Sequence, residues 1–314
     1  MATEVQATPA PRVVRSPGMN RKTREALTGL LFVSPWIISA LVFIFGAMVY
    51  VFYLSFTDLK SLNEPKIIGF DNYIRVVTNK LFQTALFNTL LYAVVVTFFQ
   101  TWVALLMAVA LNAKIRGTQF FRSAWYLPSV TSSVALSLIS IWVFQKQGIL
   151  NYALSMLLGW TGFQPVAWLT DASAHTALPA LMILSIITTA PIFMLFFLAA
   201  LRNIPEEVYE AASMDGSAGA HRFFQVTVPL LRPIMFLVVV LGTIGSLQVF
   251  DQPLIMTNGG PLNQTTTINL LIYRSAFTDY NMAYASAMSF ILFVMILLLF
   301  LVQQRILGGS NTES

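Results

Sequence analysis

No cysteine occurs among the 314 residues, which excludes disulfides and thiolate metal sites but says nothing further about compartment. Charge is almost as scarce: 10% of residues carry one, against about 25% in a soluble domain. With 57% of the chain apolar, a membrane protein is the class implied. A membrane-embedded enzyme would need clustered His, Asp or Glu at the bilayer surface; the only two histidines, His175 and His221, are expected on opposite sides. The Gly-rich loop ending in Gly-Lys-Ser/Thr that cradles nucleotide phosphates is missing, so any ATP that drives this protein is hydrolysed by another polypeptide.

What is present is a series of long apolar runs. The stretch 1–26 is polar, with Pro9, Pro11, Pro17 and five basic residues, and is expected to be a disordered cytoplasmic lead. The run after it is about twice the length of a signal-peptide core and lacks a small-residue cleavage pattern, so it is read as a retained span. Six spans are expected, at residues 27–56, 86–113, 123–144, 174–201, 233–256 and 282–304, within a single membrane domain 27–305 and with a short cytoplasmic tail at 306–314. Each is near or above the roughly 20 residues needed to cross hydrocarbon, the fifth only by running on past Phe250. A broken apolar patch, residues 152–168, reads as a short interfacial helix and loop.

Basic residues set the expected orientation. Twelve lie on the side of the termini and of the 114–122 and 202–232 loops, and six on the other, which places both termini in the cytoplasm. With the fifth span drawn to Phe250, the spans lack Asp, Glu, Lys and Arg, the nearest cases being Asp251 at the outer end of the fifth and His175 at the outer start of the fourth. That argues against a proton-coupled carrier or a cation channel, as does the lack of evident inverted repeats.

The longest mixed-charge island in the second half runs from Arg202 to Arg232. Pro205 fits a first helical position, Glu206 and Glu207 complement the dipole of a first turn, and Gly216 suits a stop. A helix of about three turns is expected, with Ala211 and Ala212 leaving a side-chain-poor surface for another protein to approach. Ser217 is expected to cap a second helix ending before Pro229.

The spacing Glu210-Ala211-Ala212, then Asp215-Gly216, then Pro229 resembles the EAA loop of the membrane subunits of binding-protein-dependent ABC importers. Further segments resemble the carbohydrate (maltose or glycerol-phosphate type) branch of that family: Ile68-Gly69-Phe70-Asp71-Asn72-Tyr73, Tyr126-Leu127-Pro128, Asn258-Gly259-Gly260-Pro261 and Tyr284-Ala285-Ser286-Ala287. Together they cover most of residues 29–301. The resemblance implies an all-α membrane protein with six transmembrane helices, the type I importer permease fold, and a cytoplasmic coupling helix between the fourth and fifth. It implies a sister permease as heterodimer partner, two cytoplasmic ATPase subunits that bind ATP and Mg, and an extracytoplasmic solute-binding protein. This chain is expected to hold no cofactor or metal and to bind no nucleic acid. The location implied is a bacterial or archaeal plasma (inner) membrane. The short 58–85 segment leaves no room for the extra domain of the maltose-type large permease, and the tail lacks the Gly-rich ending of the sister type.

Uncharged polar residues occur at depth: Asn88, Thr89, Gln100 and Thr101, then Thr188 and Thr189, then Thr243, Ser246 and Gln248. Interhelical glue is the plain reading of most of them. In the fifth span, Thr243, Ser246 and Phe250, extended by Asp251, are expected to share a helical face that, with Gln248, lines a path for a sugar. Gly259, Gly260 and Pro261 are a tight turn, which the resemblance places near the binding protein. The cargo is expected to be a sugar or oligosaccharide; glycerol phosphate or a polyol are the nearest alternatives.

Overall fold

The computed structural model describes residues 21–60, 64–113 and 117–307. The chain divides into two units, residues 1–51 and 52–314. The first holds α1 (Arg21–Ser39), a π-helical turn (Ala40–Phe45) and the start of α2 (Gly46–Ser55), whose last four residues belong to the second; together they form an apolar helix long enough to cross a membrane. Pro35 lies inside α1 and has no N–H to give the carbonyl of Leu31; the Ser34 hydroxyl donates to that carbonyl instead, at 2.8 Å.

In the second unit, α3 (Asp71–Thr78) leads into α4 (Lys80–Asn112), whose first turn is capped by Asn79 through its side-chain oxygen, 2.8 Å from the Leu81 amide. At 33 residues α4 is about 50 Å long and is the axis of the unit. It packs along α8 (Ala177–Arg202). Ala93, Ala104 and Ala108 on α4 and Ala177, Ala180 and Ala190 on α8 are buried, and such small residues allow two backbones to approach without a side chain between them. Toward the ends of these helices the seam is filled by Leu105, Leu111, Met194, Phe197 and Leu201.

Two of the expected spans are not single helices. Residues 123–144 form α5 (Thr118–Val130) and α6 (Ser133–Val143), bent by 99° at Thr131 and Ser132. Thr131 takes an extended backbone, and its hydroxyl satisfies the Leu127 carbonyl at 2.9 Å. The fifth expected span, 233–256, stops at Leu247: α12 (Arg232–Leu247) has 16 residues, about 24 Å, less than the roughly 30 Å of hydrocarbon. Among the described residues four helices are long and apolar enough to cross a membrane, or up to six if each bent pair counts as one. The patch expected at the interface is α7 (Ile149–Leu158) with a 3-10 turn after it. Between α8 and α12 lie α9 (Glu206–Met214), α10 (Gly219–Arg222) and α11 (Val228–Leu230), and after α12 come α13 (Ile268–Tyr273) and the last long helix, α14 (Met282–Leu307). Among the described residues the only β pairing is an isolated bridge between Thr57 and Ile67. The N-terminal tail through residue 20 and the C-terminal residues from 308 lie outside the described residues.

Candidate functional site: an exposed elbow and a re-entrant mouth

The elbow begins four residues after the end of α8. Pro205 stands just outside α9 as its N-cap, one position earlier than expected, and Glu206 and Glu207 occupy the first turn. The stop is a double hydrogen-bonded cap: the Ser217 amide donates to Ala212 at 2.9 Å and the Gly216 amide to Ser213 at 3.1 Å. That geometry needs a left-handed residue after the cap, and Gly216 supplies it with φ of +76°. Ser217 does not cap the next helix; its hydroxyl is buried without a partner, and Ala218 takes the cap position of α10. Nor does the second helix end before Pro229. It continues through a π-helical turn (Phe223–Thr227) to Leu230 and breaks there by 72° before α12.

No residue of α9 is buried, and Glu210, Ala211, Asp215 and Gly216 are exposed. The helix is nonetheless held in place. Arg222 lies over the Tyr209 ring at 5.7 Å and donates to the Ser213 hydroxyl at 3.3 Å, tying α10 to α9. On one side an apolar groove of about 480 Å³ separates Val208 from Phe196, Leu230 and Ile234. An exposed, alanine-bearing helix fixed at its stop and along one flank can serve as a handle.

The second constellation comes after α12. Gln248 ends the helix and Val249 and Phe250 leave it, so Thr243, Ser246, Phe250 and Asp251 do not share one helical face. Thr243 and Ser246 are buried, and the Thr243 hydroxyl accepts from Gln303 of α14 at 2.7 Å. A π-helical turn (Pro253–Thr257) then carries the chain back on itself. In a bilayer such irregular backbone must be satisfied by protein. Thr265, Thr266 and Thr267, all fully buried, do much of this: their hydroxyls donate to the carbonyls of Gly260 (2.9 Å), Gly259 (3.0 Å) and Val249 (3.2 Å). Asn88 and Thr89 of α4 complete it, Asn88 donating to Asn263 and Thr266 and Thr89 accepting from the Ile268 amide at 3.0 Å. Gly259, with φ of +77°, sits where a Cβ would meet the Thr266 hydroxyl, Leu270 and Arg274. Gly259 is buried and Gly260 and Pro261 half-buried in this cross-braced segment, and Tyr92 on α4 braces it again by donating to Gln252 at 2.9 Å.

Besides Leu262, what this segment leaves in reach of solvent is largely polar and aromatic. Gln248 is exposed and its carbonyl accepts from Asn269 at 2.7 Å; Asp251 is half-buried. Phe250 packs against Tyr273 with centroids 5.0 Å apart, and Tyr273 against the exposed Phe277 at 5.4 Å. Nearby, Gln264 donates to the Ala172 carbonyl at 2.6 Å. Asp171, next to it, accepts the hydroxyl and amide of Ser173, and those bonds hold its carboxyl below the ordinary aspartate value. Asn88, Thr89 and Gln100 stand out in the sequence as polar residues at depth. Asn269, Tyr273 as a partner of Phe250, and the bracing role of the three threonines do not, because each depends on contacts between distant segments.

The model of the family described as binding-protein-dependent transport system inner membrane component matches residues 100–307. The chain belongs to this family. Among curated proteins, this transport component is 35% identical over 284 residues to the probable ABC transporter permease protein YesP of Bacillus subtilis, covering 89% of this chain and 90% of YesP. It is 34% identical over 284 residues to the trehalose/maltose transport system permease protein MalF of Thermococcus litoralis, covering 88% and 92%. Its fold matches the crystal structure of a bacterial ABC transporter involved in the import of alginate, with a TM-score of 0.78, 22% identity, and coverage of 92% of this chain and 98% of that one. The chain is therefore a multi-pass inner-membrane permease of the ABC transporter class, with the type I importer permease fold. The family match takes in the elbow and the re-entrant mouth of this permease together.

Proposed function

We propose that this permease is one half of the membrane channel of an ATP-driven, binding-protein-dependent importer of sugars or oligosaccharides. The other half is a sister permease, two cytoplasmic ATPase subunits bind and hydrolyse ATP with Mg, and an extracytoplasmic protein delivers the cargo. The observation that carries this reading is α9: a helix without a buried residue, fixed at its stop by Gly216 and at its flank by Arg222. A solvated helix braced in this way can carry a push from a docked partner without unravelling at its last turn. Closure of the ATPases on Glu210, Ala211, Ala212 and Asp215 would move α9 as a rigid body and, through α8 and α12 on either side, tilt the bundle. Both termini and the elbow then lie in the cytoplasm, as the basic residues suggest.

The mouth suits a polyhydroxylated cargo. Gln248, Asn269 and Asp251 offer donors and acceptors to hydroxyls, and Phe250, Tyr273 and Phe277 offer rings to the C–H faces of a sugar. Supporting the substrate class is the name of the Thermococcus relative, a trehalose/maltose system permease. The reading is tested in proteoliposomes holding the four-subunit complex and its binding protein. Uptake of oligosaccharide is expected only with internal ATP, and Glu210→Lys is expected to release the ATPases. Uptake driven by an ion gradient without ATP would overturn the reading.

A further inference from the structure

A separate cleft of about 570 Å³ opens between α5 and the end of α8. Two arginines line it, Arg122 from α5 and Arg202 from the last turn of α8, with Ser123 and Tyr126 beside them. Among the described residues no carboxylate lines it. Leu195 of α8 gives it an apolar wall, with the buried Leu198 behind it. Arg122, Ser123 and Tyr126 lie within one helical turn of each other on α5, so they make a polar stripe along a helix whose Phe120, Phe121 and Leu127 are exposed. An apolar helix face exposed on one membrane subunit meets lipid chains or a neighbouring subunit. Two cations in a lining without a carboxylate, set against an apolar side chain on a helix that also bears exposed apolar residues, match one kind of molecule in both of its parts.

We propose that this cleft binds an anionic phospholipid, its phosphate between Arg122 and Arg202 and an acyl chain leaving past Leu195. Basic pockets between membrane helices take anionic headgroups in this way. Arg202 lies four residues before α9, so the headgroup anchors the base of the elbow. A carboxylate from a partner subunit would satisfy the arginines but not the apolar wall, which favours lipid. Neither the identity of the cargo nor ATP coupling bears on this site.

The test uses the whole complex, released from nanodiscs of phosphatidylcholine with a minority of phosphatidylglycerol and weighed by native mass spectrometry. Wild type is expected to retain phosphatidylglycerol above its share of the bilayer. R122Q with R202Q is expected to lose that enrichment, about fivefold per arginine, with the subunits still assembled. R122K with R202K keeps both charges and is expected to retain most of it. Equal enrichment in the glutamine variant would overturn the proposal, as would enrichment abolished by inorganic phosphate in the wild type, which marks a free-anion site. Loss of the ATPase subunits from the glutamine variant would assign the arginines to a protein partner instead.

Discussion

Asn88, in the first half of α4, donates its side-chain amide to two backbone carbonyls more than 170 residues away, Asn263 at 2.9 Å and Thr266 at 3.0 Å. One buried side chain thereby closes the re-entrant segment onto the longest helix of the bundle. Asn88→Ala leaves both carbonyls short of a donor where water cannot easily replace it. A loss of about 1–3 kcal/mol is expected, read as a lower unfolding temperature in detergent, with earlier proteolytic cutting between residues 248 and 281. Asn88→Asp, which swaps donor for acceptor against those two carbonyls, should be worse than alanine at neutral pH. If both variants unfold with the wild type, the segment is held by other means.

Gly242 marks a close approach of α12 to α4. A Cβ placed there would fall on the side-chain nitrogen of Gln100, whose oxygen accepts from Thr189 of α8 at 2.6 Å. Gln100 thus sits between three helices, held through its oxygen while its Nε2 is buried without a partner. Gly242→Ala is expected to cost about 1–3 kcal/mol through overpacking. Adding Gln100→Ala removes the clash, so the two substitutions should be far from additive. Additive losses in thermal unfolding of the double variant would show that the helices part elsewhere.

How far this was readable from the sequence differs between elements. The elbow was legible because its determinants are local: glutamates in a first turn and glycine at a stop fix a helix without reference to the rest of the chain. The long helices α4 and α8 were legible by length alone. The break in 123–144 was not, since Thr131 and Ser132 are neutral in hydropathy and the bend depends on a hydroxyl satisfying the carbonyl at Leu127. The fifth helix reads past its end for a similar reason. Nothing at Gln248, Val249 and Phe250 signals a stop; what allows one is satisfaction of the later backbone by Asn88, Thr89 and the threonines 265–267, a pairing that periodicity cannot reveal. Ser217 misled in the opposite direction, because a good capping residue was already engaged through its amide in ending α9.

The glycine at the end of α9 separates handle geometry from handle chemistry. Gly216→Ala leaves Glu210 and Asp215 untouched but places a Cβ at φ of +76°, at a cost of about 1–2 kcal/mol. The last turn should loosen while the bundle stays intact. ATPase subunits are then expected to copurify with the variant, yet stimulated hydrolysis should fall severalfold, whereas Glu210→Lys should weaken copurification itself. Should Gly216→Ala hydrolyse and transport normally, a rigid stop is not part of the coupling.

The aromatic group at the mouth can be tested apart from assembly. Phe250, Tyr273 and Phe277 lie in series, and only the last two present large exposed surfaces, so their contributions to sugar stacking should differ. Tyr273→Ala and Phe277→Ala are expected to raise the half-saturating cargo concentration roughly tenfold, the worth of one ring contact of about 1 kcal/mol or somewhat more. Gln248→Ala should act in the same direction by removing an amide that can reach a hydroxyl. Thr243→Ala should instead lower thermal stability, because its hydroxyl is spent on Gln303 of α14. Measured in proteoliposomes at fixed binding-protein concentration, the first three should leave ATPase copurification unchanged. A cargo that is carried equally well by all three variants would move the path away from this mouth, toward surfaces that the sister permease contributes.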